Sequence, residues 1–319
     1  MVVGIVTARQ HIEKSPIGAI ACALAHLGHT VKVANFAQDV QMPLSFHLPT
    51  LSITECDITE IGQCKIIFTD VEIPISVAGK TVVYVMETLR AEHLYWLNDV
   101  KKRAQLIVLC TQDATYDIVA DAFDARLMHL GAPPTVHLIH PDNCFAKLDW
   151  VASYDYDDYN CLITEGLVKA IFSGAPEVRL IIISHRTGER INFYDVYRKA
   201  LCYHNEAHNI APLPIIAASK AVISEAPHSA PHFYFPYRTY HTALALNCYF
   251  IAVGYNRQMN LPAVIQVSDY DSAVAKVREL MKNDAPTPIK SATHLKKLRE
   301  QITMDAILLR AIGEVLNGA

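Results

Sequence analysis

The chain has 319 residues, of which 51% are hydrophobic, and its formal net charge is −4. This length accommodates two domains of ordinary size, and the charge excludes a global basic field for nucleic acid, so such contacts would need a local basic patch. The eight cysteines form no CxxC pair and show no metal-ligand spacing. With no basic leader at the start and no apolar run of membrane-spanning length, we expect a cytoplasmic protein with reduced core cysteines.

The first half of the chain alternates short apolar runs with helical patterns. The patterns predict helices over residues 17–27 and 113–123, and strands over 2–7, 30–35, 65–69, 81–86, 106–110 and 135–139. Ser15 and Pro16 form a typical helix start. Arg9, His11, Ser15 and Gly18 follow the first strand, at a rim that favours phosphate or substrate. This turn has no GxGxxG, which disfavours a dinucleotide oxidoreductase.

Glu87 directly follows the apolar strand TVVYVM, where a carboxylate would face a cleft. A solvated or helix-capping glutamate is the alternative. Further along, the polar and aromatic run YDYDDYN has no core-forming period. We therefore predict a linker over residues 141–161, and its acidic residues are expected to be solvated and not to bind a metal.

The most informative stretch of the second half is RLIIISHRTGERINFY, residues 179–194. Its pattern predicts a buried strand over 180–183, a cationic loop in which Arg186 and Arg190 surround Thr187, and a helix over 192–203. Ligands bind beyond the carboxyl ends of parallel strands, and forked guanidinium groups suit phosphate oxygens. Solvated surface arginines are the alternative.

The remaining elements continue the alternation. We predict strands over 214–218, 220–224 and 249–253, an irregular segment over 232–240, and helices over 162–172, 241–247, 268–282 with Ser268 as cap, and 292–316 with a break near Thr303.

Two successive α/β domains with a cationic strand end in the second resemble the GT-B glycosyltransferases. TALALNCYFIAV, residues 242–253, resembles their donor-binding helix and strand, and TARQHIEKSPIGAI through ALAHLGHTVKV resembles their opening loop and helix. The resemblance implies an α/β fold of GT-B type, with two Rossmann-like domains whose mostly parallel sheets face a central cleft. The acceptor domain would span 1–145 and the nucleotide-sugar domain 160–290, while the helix of 291–319 would pack back across the junction.

A narrower resemblance is to the hydroxymethylcytosine DNA glycosyltransferases of T-even phages. It rests on Ala8-Arg9, VVYVMET at 82–88, HRTGERINFY at 185–194 and Tyr240-His241-Thr242. It implies a 5-hydroxymethylpyrimidine in double-stranded DNA as acceptor, a retaining outcome, and Glu87 at the reaction centre. For a DNA acceptor, the basic clusters Lys101-Lys102-Arg103 and Lys296-Lys297-Arg299 would contact phosphates, with solvated helix faces as the alternative.

The GT-B resemblance also implies a site for transfer of a hexosyl or pentosyl group from a UDP-sugar. Arg186 would stabilise the leaving diphosphate and Glu87 would act beside the acceptor hydroxyl, with no resident cofactor and no metal because cations replace it. The donor-binding residues would be Ser15, Gly18, Arg186, Thr187, Arg190, Arg238, Tyr240, His241 and Thr242, and the acceptor-binding residues Arg9, His11, Tyr95 and Trp96.

The chain departs from the GT-B pattern at the glutamate pair that commonly holds the sugar and the ribose. Tyr234 and Thr242 occupy the two positions, and Glu225 is a nearby substitute unless it is a solvated loop residue. A glycan, lipid or small-molecule acceptor, and a degenerate GT-B scaffold that only binds, therefore stay open. So does the choice between retention and inversion.

Overall fold

The computed structural model describes residues 1–9, 12, 15–37, 52–86, 91–123, 125–155, 163–184, 201–204, 212–226, 235–282 and 285–316. The chain divides into two compact units. The first unit comprises Met1–His137, Pro236–Arg238 and Glu300–Ala319, and the second comprises Leu138–Phe235 and Thr239–Arg299.

Strands and helices alternate along the described chain. In chain order they are β1 (Val2–Thr7), α1 (Pro16–His26), β2 (Thr30–Asn35), β3 (Ile53–Glu55), α2 (Ile58–Ile61), β4 (Ile66–Thr69), β5 (Thr81–Met86), α3 (Ala91–Arg103), β6 (Gln105–Cys110), α4 (Asp113–Ala122), β7 (Arg126–His129), β8 (Leu148–Asp155), α5 (Glu165–Gly174), β9 (Arg179–Ser184), β10 (Leu201–His204), α6 (Leu213–Ala218), β11 (Ser219–Glu225), α7 (Tyr237–Ala245), β12 (Tyr249–Val253), β13 (Val264–Val267), α8 (Tyr270–Met281), α9 (Ala292–Ile302) and α10 (Met304–Leu316).

The first unit is built on a parallel sheet with the strand order β3-β2-β1-β4-β5-β6-β7. Its central strands are apolar and buried because helices cover both faces. One core layer includes Ile5, Val83 and Ile20 of α1, and the other includes Val82, Leu97 of α3 and Val119 of α4. The direction of winding reverses between β1 and β4, and this is where open α/β sheets bind ligands.

The second unit repeats this plan with a parallel sheet of order β10-β9-β8-β11-β12-β13. The core on one face packs β8, β9, β11 and β12 against α5 and α8, through residues such as Ile182, Ile223, Val168 and Val277. The winding reverses between β8 and β11, so the second sheet has its own switch point.

The break between the last two helices is a backbone pairing with the segment that follows β7. Ala132 N–H donates to the carbonyl of Ile302, and Met304 N–H donates to the carbonyl of Ala132, each at 2.8 Å. Asp305 then accepts from the backbone N–H of Thr135 at 2.6 Å. These bonds fix the start of α10 within the first unit.

Most predicted elements are confirmed. Strands β1, β2, β4, β5, β6, β9, β11 and β12, helices α1, α4, α5 and α8, and the interruption at Thr303 lie where the patterns place them, within a few residues. The predicted helix start also holds, because the Ser15 hydroxyl caps α1 by accepting from Gly18 N–H at 3.2 Å. For α8, however, the cap is Asp269 and not Ser268. Its carboxylate accepts from Ser272 N–H at 2.8 Å.

Several predictions in irregular or short apolar segments are wrong. Residues 135–137 form a 3₁₀ turn, closed by the bond from His137 N–H to the Pro134 carbonyl, and β7 is the edge strand instead. The predicted strand 214–218 is helix α6, whose proline sits in the first turn, where a missing N–H costs nothing. Short apolar runs of this kind fit a buried helix as well as a strand.

Three further segments also differ from the prediction. The expected linker contains β8, the strand on which the second sheet is centred, with Val151 and Ala152 fully buried. Residues 237–240 begin α7 and are not irregular. Residues 201–203 belong to β10 and not to a helix, and the preceding part of that predicted helix lies outside the described residues.

Candidate functional site

A cavity of about 420 Å³ lies in the first unit at the carboxyl ends of β1, β4 and β5. This is the switch point of the first sheet, where the strand order makes a crevice. Its lining carries four charged side chains and three aromatic rings, which are Arg9, Asp70, Glu72, Glu92, Tyr84, His93 and Trp96. We call it the first-unit cavity.

The central polar contact of the first-unit cavity is the ion pair between Arg9 and Asp70. Arg9 Nε donates to Asp70 Oδ2 at 2.7 Å, with the Asp70 side chain 5% exposed and the Arg9 side chain 45% exposed. The backbone of Arg9 is held on both sides, since its N–H donates to Thr7 Oγ1 and its carbonyl accepts from Asn35 Nδ2 at 2.9 Å. Arg9 is therefore positioned by β1 and β2, whereas Asp70 directly follows β4.

The two oxygens of the Asp70 carboxylate differ in their hydrogen bonding. Within the described part of the chain, Asp70 Oδ1 is buried and accepts no hydrogen bond. A buried, unsatisfied carboxylate oxygen is costly, so this atom provides a strong site for a donor group on a ligand.

Aromatic rings form one wall of the first-unit cavity. The Tyr84 and Trp96 rings lie 4.5 Å apart between centroids, and the Tyr84 and His93 rings lie 5.5 Å apart in an edge-on arrangement. Tyr84 is 2% exposed and Trp96 is 8% exposed, so both rings are fixed by packing. A rigid aromatic wall beside a carboxylate suits a ring-shaped polar ligand with an apolar face.

At the switch point of the second sheet, Glu225 is a structural carboxylate. It ends β11, is 4% exposed, and uses both oxygens: Oε1 accepts from Tyr270 Oη at 2.6 Å and Oε2 accepts from Thr164 N–H at 3.1 Å. Burial, and next the hydrogen bond to Glu225, raise the pKa of Tyr270. Glu225 thus caps the start of α5 and is not a solvated loop residue.

The loop after β12 is held in place by a single amide side chain. Gln266 Nε2 donates to the carbonyls of Tyr255 and Arg257 at 2.6 and 2.7 Å, and its Oε1 accepts from Met259 N–H at 3.1 Å. The loop presents the exposed residues Asn256 and Arg257 at the carboxyl edge of the second sheet. Arg257 is not among the residues predicted from the sequence, although it is a cation shortly after an apolar strand, as Arg186 is.

Two of the predicted donor-binding residues organise α1. Ser15 is 5% exposed, and its hydroxyl donates to the Ile12 carbonyl at 2.6 Å while accepting from Gly18 N–H. The donor role of Ser15 and Gly18 stays a prediction.

Four others lie on α7. Tyr240 is 2% exposed, donates to the Pro262 carbonyl at 3.1 Å and packs against Phe235 and Phe250, so it is a core residue of the second unit. Thr242 is 4% exposed, whereas Arg238 and His241 are half-buried. The contact of these four residues with a donor also stays a prediction.

Of the predicted acceptor-binding residues, the structure brings Arg9 and Trp96 into one cavity. Tyr95 is 87% exposed and does not line it. Glu87, His11, Arg186, Thr187 and Arg190 lie outside the described residues.

The two predicted basic clusters differ in their surroundings. Lys101, Lys102 and Arg103 are exposed at the end of α3. The predicted phosphate contact of Arg299 is wrong, because its guanidinium is 7% exposed and bonds backbone carbonyls.

No protein-family model and no curated protein matches the chain. Among solved structures, HepE from Anabaena in complex with UDP-glucose is similar over 100% of both chains, with a TM-score of 0.66 and 14% identity. A glycosyltransferase from Rickettsia africae is similar over 98% of this chain and 96% of its own, with a TM-score of 0.60 and 10% identity. The wall teichoic acid polymerase TagF, as an H444N variant, is similar over 100% of this chain and 88% of its own, with a TM-score of 0.53 and 10% identity.

These neighbours are glycosyltransferases of GT-B type, and the chain has their α/β fold with two parallel sheets. The comparisons do not show the narrower likeness to phage DNA glycosyltransferases.

None of the described helices has the length and apolarity that crossing a membrane requires. No group of three or more His, Cys, Asp or Glu side chains in the described ranges could hold a metal ion.

Proposed function

We propose that the chain is a glycosyltransferase that moves a hexosyl or pentosyl group from a nucleotide-diphosphate sugar, with UDP as the nucleotide, to a hydroxyl acceptor. The observation that carries the proposal is the likeness in fold, along the whole of both chains, to a protein solved with UDP-glucose. In this proposal the nucleotide sugar is a co-substrate, and neither a metal nor a resident cofactor takes part.

The donor would be held by the second unit. β9 ends at Ser184, and the next residues along the chain include Arg186, Thr187 and Arg190, for which the sequence predicts a loop. Sugar transfer builds negative charge on the departing diphosphate, so preorganised cations at a strand end stabilise the transition state more than the bound substrate. Arg257 lies at the same edge of the sheet, on the loop that Gln266 holds in place.

The acceptor would occupy the first-unit cavity. Met86, the last residue of β5, lines that cavity, and Glu87 is the next residue in the chain. This continuity supports a role for Glu87 beside the acceptor hydroxyl, either as the proton acceptor or as a group that stabilises the oxocarbenium-like sugar.

A 5-hydroxymethylpyrimidine in double-stranded DNA is the narrower acceptor predicted from the sequence. The feature that favours it is the exposed Lys101-Lys102-Arg103 cluster on α3, the helix that contributes His93 and Trp96 to the cavity. Phosphate contacts release counterions, so retention on immobilised duplex DNA should fall steeply between about 50 and 200 mM salt. Retention that does not depend on salt, or no retention, would favour a glycan, lipid or small-molecule acceptor.

The test of the proposed function is release of UDP from UDP-sugars by the purified chain. Loss of one preorganised donor costs about 2–4 kcal/mol of transition-state stabilisation, so Arg186→Ala should lower turnover by about 30- to 1000-fold. Arg278→Ala is the matched control, because Arg278 is an exposed arginine of the second unit that pairs loosely with Glu177 at 3.8 Å.

Two results would contradict parts of this proposal. Turnover of Arg186→Ala within threefold of the parent would reject the role of Arg186. Binding of UDP, GDP or dTDP in a thermal-shift screen without any UDP release would indicate a scaffold that only binds, because a ligand of the native state raises Tm with or without catalysis.

A further inference from the structure

We propose that Gln266 is a positioning residue of the donor site. Gln266 holds the loop that follows β12, residues 254–259, in the conformation that contacts the nucleotide sugar, and the loop itself makes the contact. We call these residues the β12 loop. The donor is that of the proposed function, on which this assignment rests.

The side chain of Gln266 reaches from β13 to three backbone groups of the β12 loop. Its Nε2 donates to the carbonyls of Tyr255 and Arg257 at 2.6 and 2.7 Å, and its Oε1 accepts from Met259 N–H at 3.1 Å. A carboxamide has two N–H donors and one acceptor oxygen, so turning this amide over would set its oxygen against two carbonyls. The three bonds therefore restrict the backbone of residues 255–259 to a narrow range of conformations.

The β12 loop is also bonded to β11. Tyr255 is 5% exposed, its Oη lies 2.9 Å from Ser224 Oγ, and it donates to the Glu225 carbonyl at 3.3 Å. Ser224 and Glu225 end β11, one of the two strands that flank the switch point of the second sheet. Ligands of open α/β sheets bind beyond the carboxyl ends of the strands at such a point. The β12 loop is thus fixed beside the place where this kind of sheet binds a ligand.

The β12 loop presents polar side chains to solvent although its backbone is held. Asn256, Arg257 and Gln258 are exposed, and their amide and guanidinium groups are planar and carry several hydrogen-bond donors. The hydroxyl and phosphate oxygens of a nucleotide sugar are suitable acceptors for such donors. A loop that is already ordered in the free protein loses little conformational entropy on binding, so we expect the bonds of Gln266 to increase the affinity for the donor.

The opposite end of β12 offers a matched comparison. Asn247 precedes the strand and is fully buried; its Nδ2 donates to the Ile289 carbonyl at 3.2 Å and its Oδ1 accepts from Ile289 N–H at 2.8 Å. This amide also holds a distant segment, but at the amino end of the strand, away from the edge where open sheets bind ligands. The backbone of Asn247 has a positive φ of 61°, so Asn247→Gly removes the amide without backbone strain.

The experiment measures the binding of UDP-glucose to the full chain by calorimetry, below the unfolding temperature of every variant. Both Gln266→Leu and Asn247→Gly should lower Tm, because each removes hydrogen bonds between distant segments. Gln266→Leu should raise the Kd of UDP-glucose about tenfold, because the loop must then be ordered on binding, whereas Asn247→Gly should leave it within about twofold of the parent. In UDP release from UDP-glucose, the KM of Gln266→Leu should rise by a similar factor with kcat little changed, as expected for a loss of uniform binding.

Gln266→Glu provides a test whose result a purely structural role does not predict. At about pH 8 the introduced carboxylate would face two carbonyls, which should weaken UDP-glucose binding at least as much as Gln266→Leu does. At about pH 5 the protonated carboxyl can donate to one of these carbonyls, so part of the affinity should return relative to the parent at the same pH. Gln266→Leu introduces no titrating group, so its Kd relative to the parent should not change with pH.

Two results would overturn the assignment of Gln266 in a folded variant. One is a Kd of Gln266→Leu within about twofold of the parent, and the other is an equal rise of Kd in Asn247→Gly. If Gln266→Leu does not fold, Gln266→Glu decides. A ratio of its Kd to that of the parent that is constant between about pH 5 and about pH 8 would then overturn the assignment.

The proposed function and the assignment of Gln266 fail separately. A parent that binds UDP-glucose but releases no UDP from any UDP-sugar contradicts the transferase activity, and the Kd values of the variants still decide the role of Gln266. Absence of UDP-glucose binding by the parent would overturn the assignment of Gln266, whereas the transferase activity would still be supported by UDP release from another UDP-sugar.

Discussion

Arg299 Nε donates a hydrogen bond of 2.8 Å to the carbonyl oxygen of Ala245, the last residue of α7. The same guanidinium donates to the Ile139 carbonyl at 2.7 Å and to Cys144 Sγ at 3.2 Å. Burial lowers the pKa of Arg299 below its ordinary value. One buried side chain therefore joins the end of a helix, a turn and a thiol within the second unit.

Arg299→Met should destabilise the protein, because a buried carbonyl, that of Ala245, and a partly buried one, that of Ile139, lose their donor. Each unsatisfied group costs about 1–3 kcal/mol, so we expect a loss near 3 kcal/mol and a fall in Tm of about 6–12 °C. Thermal unfolding followed by circular dichroism measures this. Lys297→Met, an exposed change on the same helix, is the control, and an equal Tm shift in both variants would contradict the assigned role.

Tyr270→Phe tests the carboxylate that ends β11. The phenol donates to Glu225 Oε1 at 2.6 Å, so its removal should cost about 1–3 kcal/mol in urea unfolding at neutral pH. Because the folded-state pKa of Tyr270 is raised from 10.0, its contribution is complete below about pH 10. It is lost as pH rises through the folded-state pKa.

The comparison for Tyr270 is with an exposed phenol. Tyr95, which is 87% exposed, should tolerate Tyr95→Phe with little change in stability. At alkaline pH the free energy of unfolding of the parent should fall, and in Tyr270→Phe the part of this fall that is due to Tyr270 should disappear. A fall in Tyr270→Phe identical to that of the parent would show that the raised pKa does not affect stability.

The sequence predicts the central strands well because a strand buried on both faces has a continuous apolar run and few alternatives. TVVYVM and RLIIIS are such cases. The sequence does not predict β8, because its LDWVASYD sequence mixes polar and aromatic residues. In addition, the strands that pair with β8 and bury Val151 are β9 and β11, which follow much later in the chain. β7 and β13 are short edge strands whose residues are mostly half-buried, so their own pattern is weak.

In the candidate site, too, residues next to a clear local pattern are predicted, and those that depend on distant strand pairing are not. Arg9 was predicted because it follows a clear strand, and Trp96 because it is an aromatic residue soon after Glu87. Asp70 was missed although it directly follows β4, because the sequence does not show that the sheet winds from β1 to β4 and so brings Asp70 to Arg9. Strand order is a property of the whole sheet, and local patterns do not contain it.

Gly131→Ala should strongly destabilise the first unit. A Cβ at residue 131 would overlap the carbonyl oxygen of Ile302 and come within 2.5 Å of Ile307 Cδ1, where the backbone pairing of Ala132 leaves no room to move. We expect a cost of at least about 2 kcal/mol, measured by chemical unfolding. Gly313→Ala on α10 has open space around it and should stabilise the protein by up to about 1 kcal/mol. Similar effects of the two changes would show that the close approach is not the cause.

His29 should make stability depend on pH near neutrality. Its Nε2 is buried and without a hydrogen-bond partner in the described chain, and burial, followed by the charge of the N-terminus, lowers its pKa from 6.5. Because the unfolded chain takes up the proton first, stability should be complete above about pH 6.5 and should fall as pH drops toward the folded-state pKa. His29→Gln should flatten this part of the urea-unfolding profile, whereas His26→Gln, an exposed change three residues earlier, should leave it unchanged. A profile of His29→Gln that matches the parent at every pH would assign the acid sensitivity to other groups.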